Sequence, residues 1–238
     1  MSKIIFFDTE TTGNTDTDTL CQLAYKTESN TFNELYKPIK KIPPEASAVH
    51  HITNKMVADK PLFQDSATYQ NVKSLFENED TIMVAHNATF DVAMLARENI
   101  NIKNFICTLR VARHLDTEEK IERYNLQYLR YLLEIEVEGT AHDALGDVLV
   151  LEELFGRLKN KIMASQNISE EEAYKEMEEI SSHPSILKKF TFGKYNGQRV
   201  EDVAKTDRGY LEWLLAQKLN GDGPDEDWIY TLKHYLGK

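Results

Sequence analysis

Apolar residues run unbroken from Ile4 to Phe7 and stop at two carboxylates, Asp8 and Glu10. A short apolar run ending in polar residues predicts a buried strand over 3–8. Two more strands are predicted over 20–27 and 31–37, separated by the polar turn Glu28-Ser29-Asn30. Pro43-Pro44 breaks the pattern, and a helical turn is expected around Ala46–His51. Helical spacing follows over 66–77, then a short strand over 81–87. Ala88–Glu98 returns to helical spacing, with Val92, Leu95 and Ala96 on one face. Further helices are predicted over 108–115, 125–133 and 142–159. Strands come early and helices late, and the strand at 81–85 feeds a helix, so the class is mixed α/β.

The segment 165–185 is polar and rich in Glu, and Ser169 followed by Glu172 has the spacing of a capping box. The organisation expected is a first domain over 1–160, a helical connector over 161–187 and a small C-terminal module over 188–238. In the module, Lys188, Lys189, Lys194 and Arg199 surround Phe190, Phe192 and Tyr195, with Gly193 and Gly197 flanking a turn. Basic residues interleaved with aromatics suit a single-stranded nucleic-acid surface, and Lys194 and Arg199 are the candidate phosphate contacts. A module this small also needs aromatics for its own core, so Phe190, Phe192 and Trp213 are expected inside it. Docking onto another protein is a third reading of the same segment.

Composition narrows the setting. With 41% apolar and 28% charged residues among 238, the chain reads as an ordinary soluble protein with room for one sizeable core. No apolar stretch approaches the roughly 20 residues needed to span a bilayer, and no charged n-region with a cleavage site precedes the first strand. Neither a membrane span nor a signal peptide is expected. Cys21 and Cys107 support no disulfide framework, and a reducing, cytoplasmic compartment is expected. The net charge of −11 argues against a nucleic-acid partner gripped by basic groups alone. It does not exclude an enzyme that grips phosphates through metal ions, because its acidic ligands enter the same sum.

The carboxylates are the candidate chemistry. Alternation puts Asp8 and Glu10 on one face of a strand, where like charges repel unless something positive lies between them. Asp91, in "AHNATFD", falls on the first turn of a helix that follows a strand. Asp147, in "AHDALGD", has His142 five residues before it, a spacing that does not put the two on one helical face. His142 is therefore expected at the helix's leading edge or in the preceding loop. Four acids and a histidine suit a site for two magnesium ions, which favour carboxylate oxygens. A pair of ions roughly 3.5–4 Å apart stabilises both the attacking and the leaving oxygen of an in-line displacement. Asp8 is placed to bridge them, and an uncoordinated His142 suits the role of general base.

The segments "FDTETTG", "AHNATFD" and "HDALGD" resemble the three motifs of the DEDDh 3′→5′ exonuclease superfamily. The spacing from His142 to Asp147 is that of its histidine branch. "VHHITNKMVADKP" (49–61) and "ICTLRVARHL" (106–115) resemble the family's connecting segments. "FTFGKYNGQRVEDVAKTDRGYLEWLL" (190–215) and "TLKHYL" (231–236) resemble a C-terminal segment found in one branch of the family. The resemblance implies a ribonuclease H-like fold with a mixed central sheet flanked by helices, and removal of nucleotides from DNA with a free 3′ end. It implies two Mg²⁺ (or Mn²⁺) ions, with Asp8, Glu10 and Asp147 on one, Asp8 bridging, Asp91 acting on the second through water, and His142 as base. Thr9 and Thr11 would sit beside the terminal nucleotide, with His50, Asn87 and Phe90 lining the same cleft.

The chain departs from the family after Gly13. Relatives often carry an apolar residue there, able to wedge a terminal base pair, whereas this chain has the polar stretch "NTDTDT". A preference for single-stranded or frayed 3′ ends is therefore expected. Two alternatives stand beside this reading: an exoribonuclease, and a non-catalytic nucleic-acid-binding scaffold. The scaffold predicts loss of at least one of the five positions, and all five are filled.

Overall fold

The computed structural model describes residues 3–137, 144–221 and 225–238, and divides into two compact units, Met1–Ser182 and His183–Lys238. In the first unit the chain runs through β1 (Lys3–Thr11), β2 (Leu20–Lys26), β3 (Thr31–Leu35), α1 (Pro44–His50), α2 (Tyr69–Phe76), β4 (Thr81–Ala85), α3 (Ala88–Arg97), β5 (Phe105–Cys107), α4 (Thr108–Leu115), α5 (Leu126–Leu132), α6 (Ala144–Gln166) and α7 (Glu170–Ser182). The five strands form one sheet in the order β3-β2-β1-β4-β5. β1 and β2 pair antiparallel, as do β2 and β3, whereas β1–β4 and β4–β5 are parallel. This is the mixed sheet flanked by helices that the sequence predicts.

Strand alternation sorts the core into two layers. Phe6, Val84 and Ile106 face one side and pack with α4, α5, α6 and α7. Ile5, Phe7, Met83 and Ala85 face the other and pack with α2 and α3. On the first side Phe155 of α6 meets Phe6 edge-on, with ring centroids 5.3 Å apart. On the second, Phe76 of α2 lies 5.5 Å from Phe7 in the same geometry. Parallel strands buried on both faces read as continuous apolar runs, which is why 4–7 and 82–85 lack alternation in the sequence.

Of residues 161–187, expected as a connector, 161–182 belong to the first unit and 183–187 to the second. The capping box opens α7 as predicted: Ser169 N–H donates to Glu172 Oε2 at 2.8 Å and Glu172 N–H to Ser169 Oγ at 3.3 Å. But α7 buries Ala173 and Met177 in the main core. At its end Ser181 Oγ accepts from Cys107 N–H at 2.8 Å, and the Ser181 carbonyl accepts from buried Arg110 at 2.7 Å. Burial every fourth residue is a weak signal in a segment this rich in Glu, so the exposed face dominates the sequence impression.

The second unit holds α8 (Val200–Thr206), α9 (Arg208–Asn220) and α10 (Glu226–Leu236) around Phe190, Val200, Leu211, Trp228 and Leu232. Phe190 stacks on Trp228 at 5.0 Å, as a core aromatic should. Trp213 is the correction: it is 54% exposed, while Trp228 occupies the core position expected for it. Among the described residues, no helix is long and apolar enough to cross a membrane.

Candidate active site

β1 pairs with β2 as far as Thr11, but with β4 only as far as Phe6 opposite Val84. The tip bearing Asp8, Thr9, Glu10 and Thr11 thus projects beyond the parallel pair, at the carboxyl ends of its strands. Open α/β sheets form their ligand crevices at such ends. The alternation that sets Phe6 against α6 also sends Asp8 and Glu10 to that face. Asp147 lies on the first turn of α6, two turns before Phe155. The result is a convergence of ligand oxygens from Asp8, Glu10 and Asp147, all within 4.8 Å of one another.

Three carboxylates this close repel strongly in the absence of a cation. Hard oxygen donors from a strand and a helix are what a divalent ion such as Mg²⁺ or Mn²⁺ takes, so the residues present fit the ion. Gln127 of α5 braces the buried Asp147, its Nε2 donating to Oδ1 at 2.5 Å. Its own Oε1 is buried with no donor among the described residues, an acceptor of the kind that ordered water satisfies.

Asp91 is held differently. It is buried on the first turn of α3, and its Oδ1 accepts from the Thr9 hydroxyl at 2.6 Å and from the Thr9 N–H at 3.1 Å. Burial pushes its carboxyl up to about 7, although both Thr9 donors pull the other way. Asp91 is not among the three converging carboxylates. It stands instead against the strand residue between two of them.

The ends of β1 are fastened by neighbours that the sequence does not flag. A bulge falls between Glu10 and Thr11, and the Thr11 hydroxyl donates to the Gly13 carbonyl at 2.7 Å. Gly13 has φ +154, and a Cβ there would meet the Asp18 carboxylate at 2.7 Å, so only glycine fits the turn. Asp18 accepts from the hydroxyls of Thr12 and Thr15, each at 2.6 Å, and from Thr15 N–H at 2.8 Å, and it pairs with Lys40 at 2.5 Å. Burial alone would raise its carboxyl, but Lys40 and these donors hold it well below the usual range. Arg97, at the end of α3, donates to the Thr15 carbonyl at 2.9 Å and pairs with Asp16. The polar loop after Gly13 is thus latched on both sides.

The remaining candidates differ in their surroundings. His50 is buried, accepts Ile52 N–H on Nδ1 at 3.0 Å and so presents Nε2–H to the Thr11 carbonyl at 3.2 Å. Burial lowers its pKa, in keeping with a neutral ring that ties α1 to the tip of β1. Asn87 is exposed at φ 65, a left-handed position that Asn tolerates, and its side chain does not cap α3. Phe90 is partly buried against the second core layer. Lys194 pairs with Asp207 at 3.1 Å and lies 4.7 Å over the Tyr195 ring, while Arg199 precedes α8. His142 lies outside the described residues.

Sequence reasoning missed Gln127 and Asp18. The first lies 20 residues from Asp147 on another helix, and nothing in its local pattern marks it. The second sits in a threonine-rich loop next to Gly13, where clustered hydroxyls around one acid are a legible sign of a turn.

The geometry agrees with comparison to known proteins. The exonuclease family model matches residues 5–155, which include Asp8, Glu10, Asp91 and Asp147, and the exodeoxyribonuclease X-like C-terminal model matches 190–218. The chain is 35% identical over 208 residues to exodeoxyribonuclease 10 of Escherichia coli (strain K12), covering 87% of this chain and 85% of that one. It is 32% identical over 168 residues to DNA polymerase III subunit epsilon of Treponema pallidum, covering 63% and 73%. Among solved structures, exonuclease X in complex with 5′ overhanging duplex DNA matches with a TM-score of 0.58 and 27% identity, over 75% of this chain and 99% of that one. E. coli exonuclease I in complex with a dA16 oligonucleotide shares the fold, with a TM-score of 0.53 over 69% of this chain and 45% of that one. Two carboxylates on the tip of a central strand and a third on α6, in a ribonuclease H-like sheet and within a matched segment of 151 residues from 5 to 155, have one consistent reading: this chain belongs to the exonuclease family.

Proposed function

We propose that the chain is a metal-dependent 3′→5′ exodeoxyribonuclease that favours single-stranded or frayed 3′ ends. The observation that carries this reading is the convergence of Asp8, Glu10 and Asp147 within 4.8 Å at the open end of the sheet. Two divalent cations, when bound, would neutralise the charge that builds on the attacking and leaving oxygens of the phosphodiester. The chain's own residues do the rest. Asp8, Glu10 and Asp147 would hold the ions, with Asp8 shared between them, and Gln127 keeps Asp147 aimed. Asp91, set by the two Thr9 donors, would act on the second ion through water. His142 takes the proton of the attacking water. Thr9, Thr11, Asn87 and Phe90 line the place of the terminal nucleotide. The neutral His50 fixes the tip of β1 under it, and Lys194 and Arg199 offer phosphate contacts.

The test is a gel assay in Mg²⁺ with 5′-labelled single-stranded DNA and matching RNA, with EDTA and Asp8→Ala as controls. A ladder that shortens from the 3′ end on DNA, and is lost in both controls, is expected. A ladder on RNA alone would transfer the same site to a ribonuclease. No ladder on either would favour a binding protein.

A further inference from the structure

We propose that the segment 37–60 forms a phosphate track for the nucleic-acid strand lying beyond the nucleotide being removed. This rests on the nuclease reading above and adds to it a surface for the polymer.

The segment carries Lys37, Lys40, Lys41, Lys55 and Lys60 against only Glu45 and Asp59, in a chain whose net charge is −11. Several lysines elsewhere are paired locally: Lys73 with Glu77, Lys103 with Glu79, Lys120 with Glu118, Lys175 with Glu171 and Lys205 with Glu201. Within the segment Lys40 is taken by Asp18. Lys37, Lys41, Lys55 and Lys60 are exposed and have no carboxylate partner among the described residues.

The backbone then gathers these four. Lys37 N–H donates to the Pro61 carbonyl at 2.9 Å, which brings Lys37 beside Lys60. Ile42 N–H donates to Asn54 Oδ1 at 2.9 Å and Asn54 Nδ2 returns to the Ile42 carbonyl at 2.8 Å, which brings Lys41 beside Lys55. Ile42, Ile52 and Val57 anchor the loop in a small core of their own with Cys21. A loop that draws the backbone of two lysine pairs together, none of the four held by a carboxylate, suits an anion. Its position selects the anion: His50, within the segment, bonds to the Thr11 carbonyl at the tip of β1. A polymer threaded to that tip by its 3′ end would run along this loop, where the four lysines would supply charge to its phosphates.

The experiment measures binding rather than turnover, so that it stands apart from the nuclease claim. A fluorescein-labelled oligodeoxynucleotide is titrated by anisotropy in Ca²⁺, at several salt concentrations, with wild type and a Lys37→Gln/Lys41→Gln/Lys55→Gln/Lys60→Gln variant. The variant should bind at least about tenfold more weakly, and its log–log salt slope should shrink by roughly 3, from about 0.7 per phosphate contact on single strands. The corresponding four Lys→Arg changes should keep the affinity. Turnover of the p-nitrophenyl ester of thymidine 5′-monophosphate, which has no further phosphates, should be unchanged in the Gln variant. Unchanged DNA affinity and slope would overturn the proposal, as would loss of binding to an acidic peptide with DNA binding intact. A wild type that binds DNA through these lysines yet hydrolyses nothing would refute the nuclease reading and leave the track standing.

Discussion

Thr9 turns both its hydroxyl and its backbone N–H onto a single oxygen of Asp91, at 2.6 and 3.1 Å, from the strand position between Asp8 and Glu10. The buried carboxyl behind that contact sits at about 7 instead of its ordinary 3.8. A raised folded-state pKa contributes stability below the unfolded value, and that contribution is lost as pH rises through the folded value. Without metal, the Asp91 contribution is therefore present near pH 4 and gone above about 7. His86, whose pKa burial lowers to about 4, acts with the opposite sign over much of the same range. The clean observable is a difference. The melting temperature of wild type minus that of Asp91→Asn, measured in EDTA, should fall from pH 4 to 7.5. Parallel curves would show that Asp91 does not titrate there.

Gln127 reaches Asp147 from a different helix, and its own Oε1 is buried with no donor among the described residues. Partners that orient a ligand are typically worth 10–100-fold in metal affinity or activity. Gln127→Ala should raise the Mn²⁺ concentration for half-maximal activity by about tenfold or more, with the rate at saturating Mn²⁺ less affected. A titration of rate against Mn²⁺ decides it. An unchanged midpoint would reduce Gln127 to packing.

Asp18 closes the loop after Gly13 by accepting three hydrogen bonds and pairing with Lys40. Asp18→Ala strands the Thr12 hydroxyl and the Thr15 N–H, and should cost about 2–4 kcal/mol of stability at neutral pH. Equilibrium urea unfolding measures this directly, and a change below about 0.5 kcal/mol would mean that the loop re-forms its contacts with water.

The same loop presents Asn14 and Thr15 where an apolar wedge would open a duplex end. Without a wedge, each step into a blunt end needs spontaneous fraying, at about 1.4 kcal/mol per base-pair step, or roughly tenfold in rate. Initial rates on a 5′-labelled strand, alone and annealed to a blunt complement, should differ by about that factor. Equal rates would mean that another element separates the strands.

Local pattern was enough for β1, β2, β4, α3 and α4, because each is marked by an apolar run or a full amphipathic face. The three-residue β5 escaped notice, since Phe105–Cys107 is too short to show a period and is identified only by its pairing with β4. The helices of the second unit were hidden by their aromatics: α9 spreads Tyr210, Trp213 and Leu214 around its circumference, and only contact with α10 decides which are inside. In the site, Asp8 and Glu10 were legible as a pair from strand alternation alone, and Asp147 from its motif. The Thr9–Asp91 contact spans 82 residues and the Gln127–Asp147 contact joins two helices, and no local signal carries either. The approach of Lys37 to Lys60 and of Lys41 to Lys55 is equally invisible in the sequence, because the Lys37–Pro61 backbone bond and the Asn54 side-chain bonds to Ile42 create it.

Asp8, Glu10 and Asp147 form the proposed seat of closely spaced divalent ions. Electron paramagnetic resonance of Mn²⁺ added to the folded protein, in wild type and in Asp8→Asn and Asp147→Asn, tests this most directly. Wild type should take up two Mn²⁺ per chain with the spectral broadening of a close pair, and each variant should lose at least one ion while keeping its circular dichroism. Equal uptake by all three proteins, or none by wild type, would contradict the assignment.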